Sequence, residues 1–248
     1  MTVKEDKKET ISKPQEDRFL KEKESSQLKI EQIQKISEEA KRTDEEVRQN
    51  YNFLKKVHIG AFVKFGNYPQ GADGDIRPIE WQLLAKKGNR ILLISRYGLD
   101  ARRFDGSSNN WKNSEIRQWL NSDFYNKAFN ENEKKLIRYT KKKVGFWESL
   151  FGQSDLTKLI DVNIFLLSED ELYKYFPYKS SSRKCKATEY AVKNGANVAD
   201  NGYSWWWLRS SFPVGMYGVF GITADGNYFD YPIGSCIGVV RPALLINL

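Results

Sequence analysis

Apolar positions change their period several times along this chain, and each change marks an element. Residues 1–27 alternate Lys and Glu with few apolar positions. Such a composition does not offset the entropy of ordering a chain, so this stretch is expected to be disordered or weakly helical. From Leu28 the pattern tightens. Ile33, Ala40, Val47 and Leu54 recur every seven residues, with Ile30, Ile36 and Tyr51 beside them, which predicts a helix from about Gln27 to Lys55. Ser37 and Asp44 fall on the second heptad position, so self-association of residues 28–55 as a coiled coil and a lone exposed helix both remain open.

Beyond Val57 the period becomes two. Ile59, Ala61, Val63 and Phe65 alternate up to Gly66–Gly71, and Ile79, Trp81 and Leu83 alternate after it. The turn at Lys87-Gly88-Asn89 leads into Ile91–Ser95, an apolar run fit for a buried central strand. Three strands in close succession predict a meander. The period then lengthens: Ile116, Trp119, Leu120 and Phe124 fall at i, i+3, i+4 and i+8 behind Ser114, the pattern of a capped amphipathic helix. Asn130 to Glu133 opens a second, shorter helix carrying Leu136 and Ile137. Residues 141–158 fit no period. A strand is expected over Val162–Leu167, then a capping box at Ser168–Glu171 and a helix stopped by Pro177. Thr188–Asn194 reads as a further helical turn closed by Gly195. The last 45 residues return to strands, with a hairpin turn at Ala224-Asp225-Gly226-Asn227. Strands at both ends with helices between them make the fold class α+β.

Composition places the core. Of the 34 aromatic side chains, only Phe19, Tyr51 and Phe53 precede Val57. Residues 1–56 therefore read as a charged arm and 57–248 as one globular domain. The net charge is +8. The arm holds 14 basic and 13 acidic side chains, leaving 26 and 19 for the domain. That surplus suits an ordinary basic surface or an anionic partner. No run approaches the length of an apolar membrane span. The start MTVKEDKKET has no apolar signal region, so the default location is cytoplasmic. Cys185 and Cys236 lack the spacing of a redox or metal pair and are expected to be free thiols.

Candidate chemistry is sparse. His58 is the only histidine and no nucleophile elbow accompanies it, so no catalytic triad, zinc site or other cofactor is expected. Glu80, Asp100, Asp105, Glu115 and Asp225 are the carboxylates that could serve a hydrolase, if two of them flank a cleft. The oxygens between Asp100 and Asn113 could hold calcium, though not with EF-hand spacing. Arg102-Arg103, Lys141–Lys143 and Arg183-Lys184, near Trp111 and Trp147, leave nucleic-acid binding as a further alternative.

Seven motifs resemble a bacterial family of domains of unknown function: Tyr68-Pro69-Gln70, Pro78–Trp81, Leu92–Ser95, Ser114–Asn121, Phe165–Asp170, Trp206–Ser210 and Val240–Leu244. Ser211 stands where that family usually has Pro. The layout is also similar to the C-type lectin-like fold, in the branch of the formylglycine-generating enzymes. This second resemblance implies paired terminal strands and a final Gly238-Val239-Val240-Arg241 strand. It does not imply that branch's activity, because Cys185 and Cys236 are 51 positions apart. It implies structural roles for Trp206, Trp207, Arg209 and Arg241, with Trp81 and Trp119 as further core anchors, and Glu80 or Asp225 as expected partner of Arg209 or Arg241. Loops on such scaffolds bind protein or glycan ligands. The Asn-, Gly- and Tyr-rich segment 194–205 has the composition of a binding loop. The expected ligand-binding residues are Asn109, Asn110 and Trp111, Asn201, Tyr203 and Trp205, and Asn227, Tyr228 and Tyr231. Of these, Tyr203, Trp205, Asn227 and Tyr228 are expected on one exposed face.

Overall fold

The computed structural model describes residues 54–138, 140–143, 159–178, 180–211, 218–234 and 237–248. The chain divides into two compact units, Met1–Asn52 and Phe53–Leu248. The first unit, with the expected heptad helix and its self-association, lies outside the described residues, as do Trp147 and Cys236.

The second unit is α+β, with two mainly antiparallel five-stranded sheets. The first has the order β1-β2-β3-β12-β7. Its strands β1 (Phe62–Pro69), β2 (Ile76–Lys87) and β3 (Arg90–Ser95) form the expected meander. The C-terminal strand β12 (Ala243–Asn247) pairs with β3 on one side and with the short β7 (Ile164–Phe165) on the other. Both chain ends of the domain thus meet in one sheet, but β12 pairs with β3 rather than with β1. Alternation along β2 buries Ile79, Trp81 and Leu83 completely. In β1 the alternation breaks at a bulge between Lys64 and Asn67. Val63 and Tyr68 are both buried although they lie five positions apart, which in an unbroken strand puts them on opposite faces; the extra residue reverses the pleat. Ile59, expected inside, is exposed, since the strand begins only at Phe62.

The second sheet has the order β10-β9-β8-β11-β4. It is built from β4 (Asp100–Arg102), β8 (Trp206–Ser211), β9 (Gly218–Ile222), β10 (Tyr228–Pro232) and β11 (Gly238–Val240). β11 runs parallel to β8 and antiparallel to β4. Gly226 at φ 86° makes the β9–β10 turn that a side chain would disfavour. A two-stranded ribbon joins β5 (Thr140–Lys143) to β6 (Leu159–Val162). Lys141–Lys143, which fit no period in the sequence, therefore belong to a strand. The run expected as one strand at Val162–Leu167 is divided at Asn163, whose backbone N–H donates to the Asn121 side chain at 2.8 Å.

The helices lie between the strand groups in sequence. The apolar stripe forms α1 (Glu115–Trp119), a π-helical turn (Leu120–Phe124) and α2 (Tyr125–Ala128) in direct succession. Ser114 caps α1 through Arg117 N–H. All four stripe residues are buried, each contributing on the order of 1.5–3 kcal/mol relative to exposure. Both expected capping boxes are present, Asn130 with Glu133 on α3 (Glu131–Leu136) and Ser168 with Glu171 on α4 (Glu169–Tyr175). α5 (Glu189–Lys193) ends with Gly195 in the left-handed region.

The aromatic anchors satisfy their polar ends. Trp81 donates its indole N–H to Phe65 O, Trp206 to Arg183 O and Trp207 to Arg102 O. Arg209 does not take Glu80 or Asp225 as its partner. Its guanidinium reaches the Leu166 carbonyl and the Glu171 carboxylate, because the pairing of β8 with β9 is interrupted between Trp207 and Ser211, where Arg209 N–H donates to the Leu167 carbonyl instead. Arg241 has no carboxylate partner among the described residues.

Candidate functional site

Where Arg241 sits follows from the crossing between the sheets. It lies on the short link between β11 and β12, held by Leu99 N–H on the Val240 carbonyl and Ser95 N–H on the Pro242 carbonyl. The side chain is 3% exposed. Its Nε donates to Ser95 O at 3.0 Å and its Nη1 to Ser182 O at 3.3 Å. The guanidinium packs 4.9 Å from the Trp206 ring centroid and 5.4 Å from that of Phe176. Burial lowers its pKa from the ordinary guanidinium value, against a small opposing effect of the neighbouring Cys185. Two carbonyls and two rings solvate the cation, and no anion among the described residues neutralises it.

Above it is a recess of about 390 Å3, within the range of small-molecule sites. Six separate stretches of the chain build it. The first is the extended run Lys184-Cys185-Lys186, tied by the Cys185–Ser204 bridge. Alternation buries Cys185 completely and sends both lysines to the other side. Tyr203, next to that bridge, receives them: the ammonium of Lys184 lies 5.4 Å and that of Lys186 5.6 Å from its ring centroid. Ser181 and Ser182, on a single 3-10 turn (Ser181–Arg183), form one wall. Phe62 and Gln82, register partners on β1 and β2, form another. Arg96 closes the rim, packed over Phe62 at 4.7 Å and Tyr97 at 5.2 Å. Its hydrogen bond and ion pair with Glu80 at 2.7 Å raise its pKa. No carboxylate lines the recess among the described residues.

The expected binding residues divide among several places. Tyr203 lines this recess. Trp205 lies outside β8 and stacks on Tyr231, with centroids 3.8 Å apart and planes at 12°. Phe229, 54% exposed, meets Tyr231 edge-on. Tyr228 is on the opposite face of β10, stacked at 4.5 Å on Phe220. The pleat therefore places Tyr228 apart from Trp205 and Tyr231, and the single face expected for Tyr203, Trp205, Asn227 and Tyr228 does not form. Tyr228's hydroxyl is buried beside Glu169, and burial and that carboxyl push its pKa up. Asn201 ties the loop to the hairpin by donating to Asp225 at 2.8 Å and accepting from Tyr203 N–H. Asn227 is exposed; its backbone closes the turn with Thr223. Asn109 reaches the Gly218 carbonyl, and Asn110 caps the 3-10 turn that follows it. Trp111 is completely buried against Phe104, so it presents no surface to a ligand.

The carboxylates proposed for hydrolysis or calcium are engaged in the scaffold. Asp100 is buried and accepts from Tyr68, Asn194 and the backbone of Ala101. Asp105 is desolvated, which alone raises a carboxyl pKa, but the N–H groups of Ser107, Ser108 and Glu115 outweigh this and hold it low. Glu115 pairs with Arg103 at 3.3 Å. His58 is exposed. Among the described residues no group of three or more His, Cys, Asp or Glu is placed to hold a metal. No helix among them is long and apolar enough to cross a membrane.

Phe62, Gln82, Arg96, Tyr97, Ser181, Ser182 and Lys186 were not among the expected site residues. The one local signal for them is the alternation Lys184-Cys185-Lys186, which puts two cations on one side of an extended segment.

Fold and site together define a class: an α+β domain with a basic recess that no carboxylate lines among the described residues, and a half-buried Trp205–Tyr231 stack. Residues 88–248, well over half of the chain, match the model of a domain of unknown function (DUF6273), and the chain belongs to that family. No curated protein and no solved structure matches it.

Proposed function

We propose that this protein is a non-enzymatic binding module that presents ligand-contacting loops on a rigid scaffold of C-type lectin-like type, for a protein or glycan ligand. The observation that carries this reading is the course of segment 194–205. This loop supplies Tyr203 to the basic recess and Trp205 to the Tyr231 stack, two residues apart in sequence. Both rings are only partly buried. Flat amphipathic rings held by a strand scaffold offer large contact area with little ordering cost. The groups around the recess are donors, cations and rings, suited to holding a ligand rather than to moving protons during turnover.

The scaffold reading rests on the arrangement of α1 to α5 between strand groups whose first and last members share a sheet, and on β11 (Gly238–Val240), which Arg241 follows directly. Probing glycan and peptide arrays with the full chain tests the function. Binding that is lost in Tyr203→Ala or Trp205→Ala, with thermal stability retained, supports it. Retained binding in both variants contradicts it.

A further inference from the structure

We propose that the recess over Arg241 binds a small, multiply charged oxyanion, a phosphate ester or a di- or tricarboxylate. This rests on the binding-module reading and gives that module its ligand chemistry. The first observation is the buried cation. Taking a guanidinium out of water costs several kcal/mol unless an opposite charge or full hydrogen bonding compensates it. Arg241 has Ser95 O, Ser182 O and two rings, and no carboxylate among the described residues. A guanidinium has five N–H donors, and only its Nε and Nη1 are engaged here. Arg241 also lines the recess, so an oxyanion held there would lie next to this charge.

The second observation is the company it keeps. Lys184 and Lys186 share the Tyr203 ring, and like charges held on one ring are mutually unfavourable until an anion arrives. Arg96 is neutralised by Glu80. The remaining charge of the recess comes from Arg241, Lys184 and Lys186, which calls for two or three negative charges on the ligand. Ser181 and Ser182 also line the recess; the Ser182 hydroxyl is shared with Ser180 Oγ at 2.6 Å, so the Ser181 hydroxyl is the one suited to a phosphate or carboxylate oxygen. The volume exceeds that of a bare ion, and the rings of Tyr203 and Phe62 offer flat surface to the organic part. The second recess, of about 410 Å3 between Arg102, Arg103 and Glu115, lacks this character, because Arg103 is paired with Glu115.

The test is calorimetric titration of the full chain with sodium pyrophosphate and, separately, with citrate, at constant ionic strength set with chloride. The expected result is saturable binding of at least one probe with a dissociation constant of about 1 mM or below, accompanied by a rise in melting temperature. Pyrophosphate alone points to phosphate esters, citrate alone to carboxylates. Lys184→Gln with Lys186→Gln should weaken binding at least about tenfold, about 1.4 kcal/mol, while leaving the unliganded fold intact. Lys134→Gln with Lys135→Gln, the same loss of charge on α3, should leave affinity unchanged. Arg241→Met should abolish binding if it folds, and the lysine pair decides the matter if it does not. No saturable binding of either probe up to about 10 mM, or equal weakening by both lysine pairs, overturns the proposal. If neither probe binds while arrays still show ligands lost in Tyr203→Ala, the oxyanion is wrong and the binding module stands.

Discussion

Glu171, half-buried, and Arg209, buried, form an ion pair that joins α4 to β8, and the same Glu171 oxygen accepts the Ser168 N–H of the capping box. One carboxylate thus closes a helix start and neutralises a cation 38 residues away. Glu171→Ala takes this carboxylate away from Arg209, which is 4% exposed. The loss should be about 3 kcal/mol by urea denaturation. The double variant Glu171→Ala with Arg209→Met should recover a large part of it, since the stranded charge is gone. A loss below about 1 kcal/mol would mean the pair behaves as a surface one.

Asp105 gathers the loop before α1, accepting from Ser107 and Ser108 N–H at 2.8 Å each and from Glu115 N–H at 3.1 Å. Its folded pKa lies below its ordinary value of 3.8. The contribution is therefore fully present above the ordinary carboxylate range and is lost as pH falls through the lower folded value. Asp105→Asn should cost about 1–3 kcal/mol at neutral pH. The difference from wild type should shrink in acid. Equal differences at pH 7 and in strong acid would remove the carboxylate from this role.

Gly98 is packed so closely that an added Cβ would lie 1.6 Å from Val239 Cγ1. Gly98→Ala forces β11 away from the Gly98–Ala187 bridge and should cost about 1–3 kcal/mol by thermal melting. An unchanged melting temperature would mean that β11 has slack in this sheet.

The unit boundary falls between Asn52 and Phe53. A chain starting at Phe53 should melt cooperatively within a few degrees of the full chain. One starting at Val57 also loses Leu54, 4% exposed, and the Lys55 carbonyl that accepts from Lys86. It should be less stable by a further 1–2 kcal/mol or about that. Equal stability of the two truncations would show that Leu54 contributes no packing.

What could be read from the sequence was local. The meander, the Ile116–Phe124 stripe and both capping boxes follow from spacing that acts within one element. Long-range pairing did not follow in the same way. Nothing near Arg209 in sequence points to Glu171, and the partners expected for it, Glu80 and Asp225, bind Arg96 and Asn201 instead. Trp111 is expected as a ligand contact in one cluster with Asn109 and Asn110, yet Asn110 caps the turn that buries the indole. The separation of Tyr228 from Tyr231 follows from a strand period of two once β10 is known to span both. The recess is the hardest feature to foresee, since six segments distant in sequence build it and none of them points to the others.

Amide chemical-shift mapping of the isotope-labelled full chain during a pyrophosphate titration tests most directly whether ligand is taken where the scaffold gathers these groups. The account predicts saturable shifts centred on Ser181–Lys186, Tyr203 and the backbone around Arg96 and Arg241. Shifts confined to the Arg102–Arg103 side or to the Trp205–Tyr231 stack, with residues 181–186 unmoved, would contradict it.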